Sequence, residues 1–215
     1  MSLHGGSDLA QLTCNIVPSV LPGYVRYCPY TADPDAAGDW KAPDLARAHA
    51  LIAASGTRGE RVVVWTFPFL GKEGRYVAAL LGKLGYRASV KELPDLPTYF
   101  GTIAKVHPQA GLAGWIGLQL PDDVFATLSC GAQENWAEFC DRGIDAQARR
   151  LRREEAENSS AAPSLAARID RELVDQAPWV ALFNPKLPDF VSKRVGNYRY
   201  NLYDFGVLLD QLWVR

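Results

Sequence analysis

Apolar side chains along this chain recur at two different spacings, and the change between them predicts a succession of strands and helices. Residues 61–67 form a β-branched and aromatic run, which is typical of a buried strand. Residues 74–84 carry apolar side chains on one helical face, and residues 86–93 return to strand character. A strand, a helix and a strand of these lengths predict a βαβ unit with parallel strands and a right-handed crossover.

The rest of the chain continues this alternation. Residues 7–40 contain too many prolines and glycines for regular structure, and we expect them to form a loop-rich opening. Beyond the βαβ unit, the pattern predicts helices at 97–104, 122–128, 144–157 and 164–176, and strands at 110–116 and 179–183. This order favours an α/β or mixed α+β fold, in which helices flank a βαβ-containing mixed sheet.

Composition narrows the class of protein. The chain has 215 residues, of which 48% are hydrophobic, and this is enough for a sizeable core. Its formal net charge of -1 disfavours binding to nucleic acid or to an anionic membrane, since both need clustered basic surface. No apolar run approaches the roughly 20 residues that span a bilayer. Residues 1–6 lack the pattern of a signal peptide and are expected to be an expression leader.

Four cysteines, Cys14, Cys28, Cys130 and Cys140, bear on the cellular compartment. They allow three disulfide connectivities, of which local pairing of the first two and of the last two is the simplest. The alternative is four free buried thiols. A zinc site is disfavoured because no CxxC spacing occurs and the three histidines form no matching pattern. Disulfides would indicate an oxidising, extracytoplasmic compartment.

Residues with catalytic chemistry form no convincing constellation. No serine lies in a GxSxG elbow, and His107 precedes a proline in a predicted loop. Asp122 and Asp123 are adjacent, which suits helix capping better than shared acid–base work. The arginines of the helix at 144–157 stand among glutamates, so we expect this helix to neutralise its own charge in solvent. We therefore predict no enzyme activity, no cofactor and no metal.

Trp115 is the candidate that stands apart from the core. It closes a predicted strand and precedes a polar loop that contains a proline. The carboxyl ends of strands in α/β proteins are where ligand clefts form. Trp115 is therefore predicted to face a ligand.

Several short segments, taken in their order and spacing, resemble one family. They are 27–31 (YCPYT), 42–48 (APDLARA), 84–86 (LGY), 114–116 (GWI), 139–141 (FCD), 170–180 (DRELVDQAPWV) and 190–198 (FVSKRVGNY). Together they are similar to the second lobe of family 5 extracellular solute-binding proteins, the peptide/nickel-binding components of ABC importers. The versions with cysteine look most like actinobacterial members. The resemblance covers nearly the whole chain after residue 12.

The resemblance implies a fold, a domain plan and partners. Residues 7–185 would be a periplasmic-binding-protein type II-like second lobe. Residues 186–215 would be a returning segment that packs on a missing N-terminal lobe, and without that lobe we expect it to self-associate or to fold back onto lobe two. The function implied is capture of a peptide or another small polar solute for membrane permease subunits, outside the cytoplasm, with a membrane anchor in the full-length form.

The resemblance also implies a ligand-binding set, namely Trp115, Leu118, Gln119, Asp122 and Asn135. Position 118 departs from the family, which usually carries an aspartate there, three residues after the tryptophan, to meet the amino terminus of a peptide. Leucine cannot pair with an ammonium group, and a buried unpaired cation is costly. This departure shifts the expected ligand toward an atypical peptide, a modified peptide or a neutral polar solute, with Gln119 offering a neutral hydrogen bond.

Two other classes of function stay open at this point. One is an exported hydrolase or thiol-redox enzyme that uses a cleft near Trp115 or the cysteines. The other is an interaction module that has lost solute binding and retains only a protein partner.

Overall fold

A computed structural model describes residues 6–116, 119–201 and 206–215. The helices, in chain order, are α1 (Leu45–Ser55), α2 (Gly71–Lys83), α3 (Leu96–Val106), α4 (Pro121–Ala126), α5 (Arg142–Ala156) and α6 (Ala162–Gln176). The strands are β1 (Ala10–Leu12), β2 (Arg61–Thr66), β3 (Arg87–Glu92), β4 (Ala110–Gly111), β5 (Phe183–Pro185), β6 (Val195–Gly196), β7 (Tyr200–Asn201), β8 (Gly206–Val207) and β9 (Trp213–Val214).

The described residues divide into two compact units. The first, called here the α/β unit, consists of residues 27–114 and 133–139. The second, called the helical unit, takes in the described residues among 6–26, 115–132 and 140–215. The predicted division into residues 1–6, 7–185 and 186–215 follows the expected two-lobe protein and stays a prediction.

The α/β unit is built on a parallel sheet with the strand order β3-β2-β4. The six residues of β2 pair in register with β3, from Arg61 opposite Arg87 to Thr66 opposite Glu92. Helix α2 connects these two strands and packs on both, so the predicted βαβ unit is confirmed. A side chain at Gly74 would meet that of Thr66 at 2.9 Å, so glycine is what lets α2 approach β2 closely.

An aromatic core fills the end of the α/β unit where β2 finishes. Phe67, Leu70, Tyr99 and Ile103 are its buried members. The rings of Phe67 and Tyr99 lie 5.0 Å apart between centroids, and Tyr99 has no exposed surface. Burial raises the pKa of the Tyr99 phenol to about 12, and its hydroxyl donates to the Trp65 carbonyl at 3.3 Å. This core fixes the carboxyl edge of the sheet.

Helices α5 and α6 pack against each other in the helical unit and run antiparallel. Gln147 donates to Glu172 at 2.6 Å and Gln176 donates to Asp141 at 3.0 Å, which sets their direction. The predicted inward face of α6 is buried as expected: Leu165, Ile169, Leu173 and Val174. Helix α5 also buries one face, through Ile144, Ala148 and Leu151.

A buried carboxylate ties the beginning of the chain to α6. Asp170 is 1% exposed and accepts hydrogen bonds from the backbone N–H groups of Ile16 and Val17, each at 2.9 Å. The side-chain amide of Asn15 donates to its second oxygen at 2.5 Å. Burial raises the pKa of Asp170, while these donors oppose the rise. The loop-rich opening therefore holds its place through polar contacts as well as apolar ones.

Two predicted strands have wrong bounds. The strand predicted at 110–116 ends at Gly111, because its partner β2 stops at Thr66 and the chain then turns into a 3₁₀ helix at Pro68–Leu70. The strand predicted at 179–183 is displaced to Phe183–Pro185, where it pairs antiparallel with the three residues of β1. Antiparallel pairs also join β6 to β9 and β7 to β8. The predicted fold class, α/β with helices flanking strands, is confirmed.

All four cysteines are in disulfide bonds. Cys130 and Cys140 form the predicted local bridge, with their Cα atoms 4.5 Å apart. Cys14 and Cys28 are oxidised as well, and the described residues include no free cysteine. The alternative of four free thiols is therefore wrong.

Candidate functional site

Trp115 stacks on Trp179 at the surface of the helical unit. Their ring centroids are 4.1 Å apart and the ring planes differ by 25°. Both side chains are partly exposed. Stacked indoles form a rigid, flat apolar surface that costs little conformational entropy when a ligand covers it. The pair can therefore act as one wall of a binding site.

Local backbone geometry brings Trp179 to this place. Helix α6 ends because Ala177 adopts a left-handed conformation, with φ of 51°, and because Pro178 cannot continue the helix. The chain turns sharply there and presents Trp179 immediately afterwards. Trp115, in turn, follows the extended segment that leaves β4.

Two exposed aliphatic residues flank the indole pair in sequence. Ile116 is 77% exposed and Val180 is 76% exposed. A β-branched residue with this much exposed surface beside each tryptophan marks an apolar surface suited to a partner or a ligand. Leu118, the predicted site residue nearest in sequence, lies outside the described residues.

Gln119 and Leu120, directly before helix α4, are held by that helix. The backbone N–H groups of Gln119 and Leu120 both donate to the Asp123 carboxylate at 3.0 Å, which caps the helix from its first turn. This confirms the prediction that Asp122 or Asp123 lies near a cap. The side chain of Gln119 is exposed, so its amide is open to solvent and to a ligand.

Asp122, another predicted site residue, lies in a small charged cluster. It is 6% exposed, and Arg152 donates to it at 2.6 Å. Glu155 also contacts Asp122, while its Oε2 atom is buried with no hydrogen-bond partner among the described residues. Burial and the neighbouring Asp122 carboxyl raise the pKa of Glu155 to about 8. Glu155 is therefore largely protonated near neutral pH, and this cluster joins α4 to α5.

The raised pKa of Glu155 predicts a loss of stability as pH rises. Between about pH 4.5 and 8 the folded state binds a proton on Glu155 that the unfolded state has released, so unfolding becomes easier with increasing pH. The free energy of unfolding falls as the pH rises, and we expect Glu155→Gln to make this fall smaller by on the order of 1–2 kcal/mol. This value is reduced because the side chain is partly exposed. Urea unfolding at pH 5, 6.5 and 8 measures it. Glu157→Gln is the matched control, and equal slopes in both variants would contradict the assignment.

Asn135 lies in the α/β unit and has a local structural role. Its side-chain amide donates to the Phe139 carbonyl at 2.6 Å and accepts from the Phe139 N–H at 3.2 Å. The side chain thus closes the loop of residues 135–139. The adjacent Trp136 stacks on Phe100 with centroids 4.5 Å apart. Ligand binding by Asn135 stays a prediction.

Two residues of this region escaped the sequence analysis. The pattern at 179–183 predicts Trp179 in a strand, although the QAPW sequence, a helix end followed by proline, already indicates a turn that presents the tryptophan. Glu155 was assigned to a solvated helix face. No signal in the sequence pairs it with Asp122, which lies 33 residues earlier.

The described part of the chain contains neither a cluster suited to a metal ion nor a helix suited to a membrane. There, no group of three or more histidine, cysteine, aspartate or glutamate side chains could hold a metal ion. Within the same residues, none of the helices combines the length and hydrophobicity that crossing a bilayer requires.

Comparison with known proteins indicates which class of protein this chain resembles. No family model matches the chain. Di/tripeptide-binding protein 4 of Pseudomonas aeruginosa is 28% identical over 180 residues, which are 76% of this chain and 32% of that protein. The chain thus spans about a third of the length of this curated relative.

Solved structures agree on the fold. HbpA2 from Haemophilus parasuis has a TM-score of 0.77 at 16% identity, over 99% of this chain and 41% of its own. The periplasmic binding protein DppA from Helicobacter pylori, associated with an ABC transporter and solved with the peptide STSA, has a TM-score of 0.66 at 18% identity, over 95% of this chain and 39% of its own.

The fold is that of periplasmic binding proteins, of the type II-like form predicted. The resemblance to peptide-type solute-binding proteins is confirmed, since the chain is similar to a di/tripeptide-binding protein in sequence and to peptide-binding proteins in structure. The Pseudomonas aeruginosa protein and DppA are named as binding proteins and not as enzymes, which agrees with the prediction of a non-enzymatic role.

Proposed function

We propose that this chain is the second lobe of a solute-binding protein that captures a peptide or another small polar solute for an ABC importer. The observation that carries the proposal is the stacked pair of Trp115 and Trp179, partly exposed in a fold shared with peptide-binding proteins. Aromatic walls supply contact area in such sites, and a few polar groups, here Gln119, supply orientation. The partners would be the solute, a first lobe and the permease subunits.

The exported-enzyme alternative has less support. The described cysteines are all oxidised, so none offers a thiolate nucleophile. The same oxidation supports an extracytoplasmic location. A membrane anchor on the full-length form is part of the proposal and follows from the family resemblance alone.

The class of solute follows from position 118. Leucine stands where the resembled family carries an aspartate, so the proposed site has no carboxylate there for a free amino terminus. The ligand would then be an atypical peptide, a modified peptide or a neutral polar solute. Mass spectrometry of solute that co-purifies with the full-length protein tests this. A plain peptide with a free amino terminus would contradict the proposed class while leaving solute capture intact.

Truncating the tryptophan tests the site itself. We expect Trp115→Ala in the full-length protein to weaken binding of the co-purified solute by about 2 kcal/mol, roughly 30-fold, because a buried aromatic anchor is lost. Calorimetry measures the affinity, and Trp40→Ala, which removes a tryptophan 41% exposed in the α/β unit, is the control. An unchanged affinity in Trp115→Ala, with an unchanged melting temperature, would remove Trp115 from the site.

The segment 186–215 is proposed to pack on the first lobe. Its strands pair among themselves, and it leaves Leu209 76% exposed and Val214 65% exposed. Exposed apolar surface of this kind favours association. In light scattering, the apparent molar mass of the 215-residue chain should therefore rise with protein concentration. The double variant Leu209→Glu/Val214→Glu should show a lower apparent molar mass at the same concentrations. A monomer at all concentrations would contradict this expectation.

A further inference from the structure

The outward face of α5 carries three arginines that form no salt bridge among the described residues. Arg142, Arg149 and Arg153 are exposed and form no salt bridge or side-chain hydrogen bond within the described part of the chain. At 100° per residue they fall within about 40° of one another around the helix, on the side opposite the buried residues Ile144 and Leu151. These three residues are called here the arginine stripe.

The stripe is long and regular. Its three residues span 11 positions, or about 16 Å along the helix axis at 1.5 Å per residue. The outward positions between and beyond them are Ala146 and Ala156, which are exposed and short. Another surface could therefore approach the helix closely between the arginines.

The carboxylates of α5 are committed elsewhere. Glu154 accepts a hydrogen bond from Arg150 at 3.3 Å, and Asp122 forms a salt bridge with Arg152 at 2.6 Å. Asp145 accepts from the Cys130 N–H, and Glu155 lies against Asp122. Self-neutralisation of this helix, expected from sequence, therefore takes the form of direct ion pairs at Arg150 and Arg152. In the arginine stripe, Arg153 acts on Glu154 only through its charge, without a salt bridge, and Arg142 and Arg149 form no salt bridge among the described residues.

We propose that the arginine stripe docks an acidic protein surface whose carboxylates are spaced four and seven residues apart on a helix. Guanidinium groups bind carboxylates through paired hydrogen bonds in a fixed geometry, which suits a protein partner. A lipid surface is disfavoured, because amphipathic helices that bind membranes place Trp, Phe or Leu beside their basic residues and here the neighbours are alanines. The proposal is independent of solute capture.

A designed peptide tests the docking surface. The probe is an alanine-rich helical 16-mer with glutamates at positions 2, 6 and 13, and its companion carries glutamines there. Amide NMR shifts of the full chain are followed during titration at low salt. We expect the glutamate peptide to shift amides around residues 142–156 and the glutamine peptide to shift none. The triple variant Arg142→Gln/Arg149→Gln/Arg153→Gln should bind the glutamate peptide at least 10-fold more weakly.

The controls separate the rival explanations. Lys72→Gln/Lys83→Gln/Lys105→Gln removes the same charge from exposed positions of the α/β unit, and it should change the affinity less than twofold. An equal loss in both triple variants would show unspecific attraction and overturn the proposal. The last measurement is binding of the chain to vesicles of phosphatidylglycerol and phosphatidylcholine. Stripe-dependent vesicle binding without peptide binding would assign the stripe to a membrane, and it would overturn the proposal too.

Discussion

Asp170→Ala should lower the free energy of unfolding by about 3–5 kcal/mol, the largest effect expected of any single substitution considered for this chain. The reason lies in what the carboxylate leaves behind. It accepts from two backbone N–H groups, at Ile16 and Val17, and from the side-chain amide of Asn15, and all of these are buried. Without Asp170, each donor keeps its desolvation cost and loses its partner.

A graded series makes the test sharp. Asp170→Asn retains one oxygen acceptor for the two backbone groups and loses the contact with the Asn15 amide, so we expect a loss of about 1–2 kcal/mol. Asn15→Ala removes the side-chain amide itself, so this donor is not left buried without an acceptor. It should therefore cost less stability than Asp170→Ala. Urea denaturation at pH 7 ranks the three variants. Equal stability of Asp170→Ala and the wild type would show that this network does not hold the opening segment.

Removing the bridge between Cys130 and Cys140 is the second large effect. The bridge closes a loop of about ten residues, and the chain-entropy relation gives roughly 3 kcal/mol for a loop of this length. We expect Cys130→Ala/Cys140→Ala to lose about this much stability. Denaturant unfolding, compared with the wild type under identical oxidising conditions, measures it.

The loop inside this bridge gives the double variant a local readout. It carries Asn135, which closes the turn onto Phe139, and Trp136, which stacks on Phe100. Its Glu138 carboxylate also contacts His107 at 2.6 Å. Amide hydrogen exchange in residues 133–139 should therefore rise more than elsewhere. Uniform exchange across the chain would show that the bridge acts only on the unfolded state.

The sequence predicts those parts of the fold that depend on local periodicity. Helix α6 and the βαβ unit are found because each shows an apolar face of regular spacing over ten or more residues. The strands at 110–116 and 179–183 are misplaced because the length of a strand is set by its partner. β2 ends at Thr66 and β1 has three residues, and neither limit is visible in the strands they restrict.

In the candidate site, too, only the features that depend on a local sequence signal are predicted. Trp115 was identified from its place after a strand, which is a local signal. Its partner Trp179 lies 64 residues later, and only the ends of two distant elements bring the rings together. The contact between Asp122 and Glu155 depends on the packing of α4 against α5, so no spacing rule in one segment predicts it.

The contact between the two indoles also gives this protein an optical property. Aromatic rings with centroids 4.1 Å apart can couple their electronic transitions, and we expect this coupling to produce a paired positive and negative band in circular dichroism. The signal depends on the distance and angle between Trp115 and Trp179, and replacing either ring abolishes it. The unlabelled protein therefore carries its own spectroscopic reporter at the proposed binding surface. A compound that inserts between the rings or rotates one of them would change the signal directly.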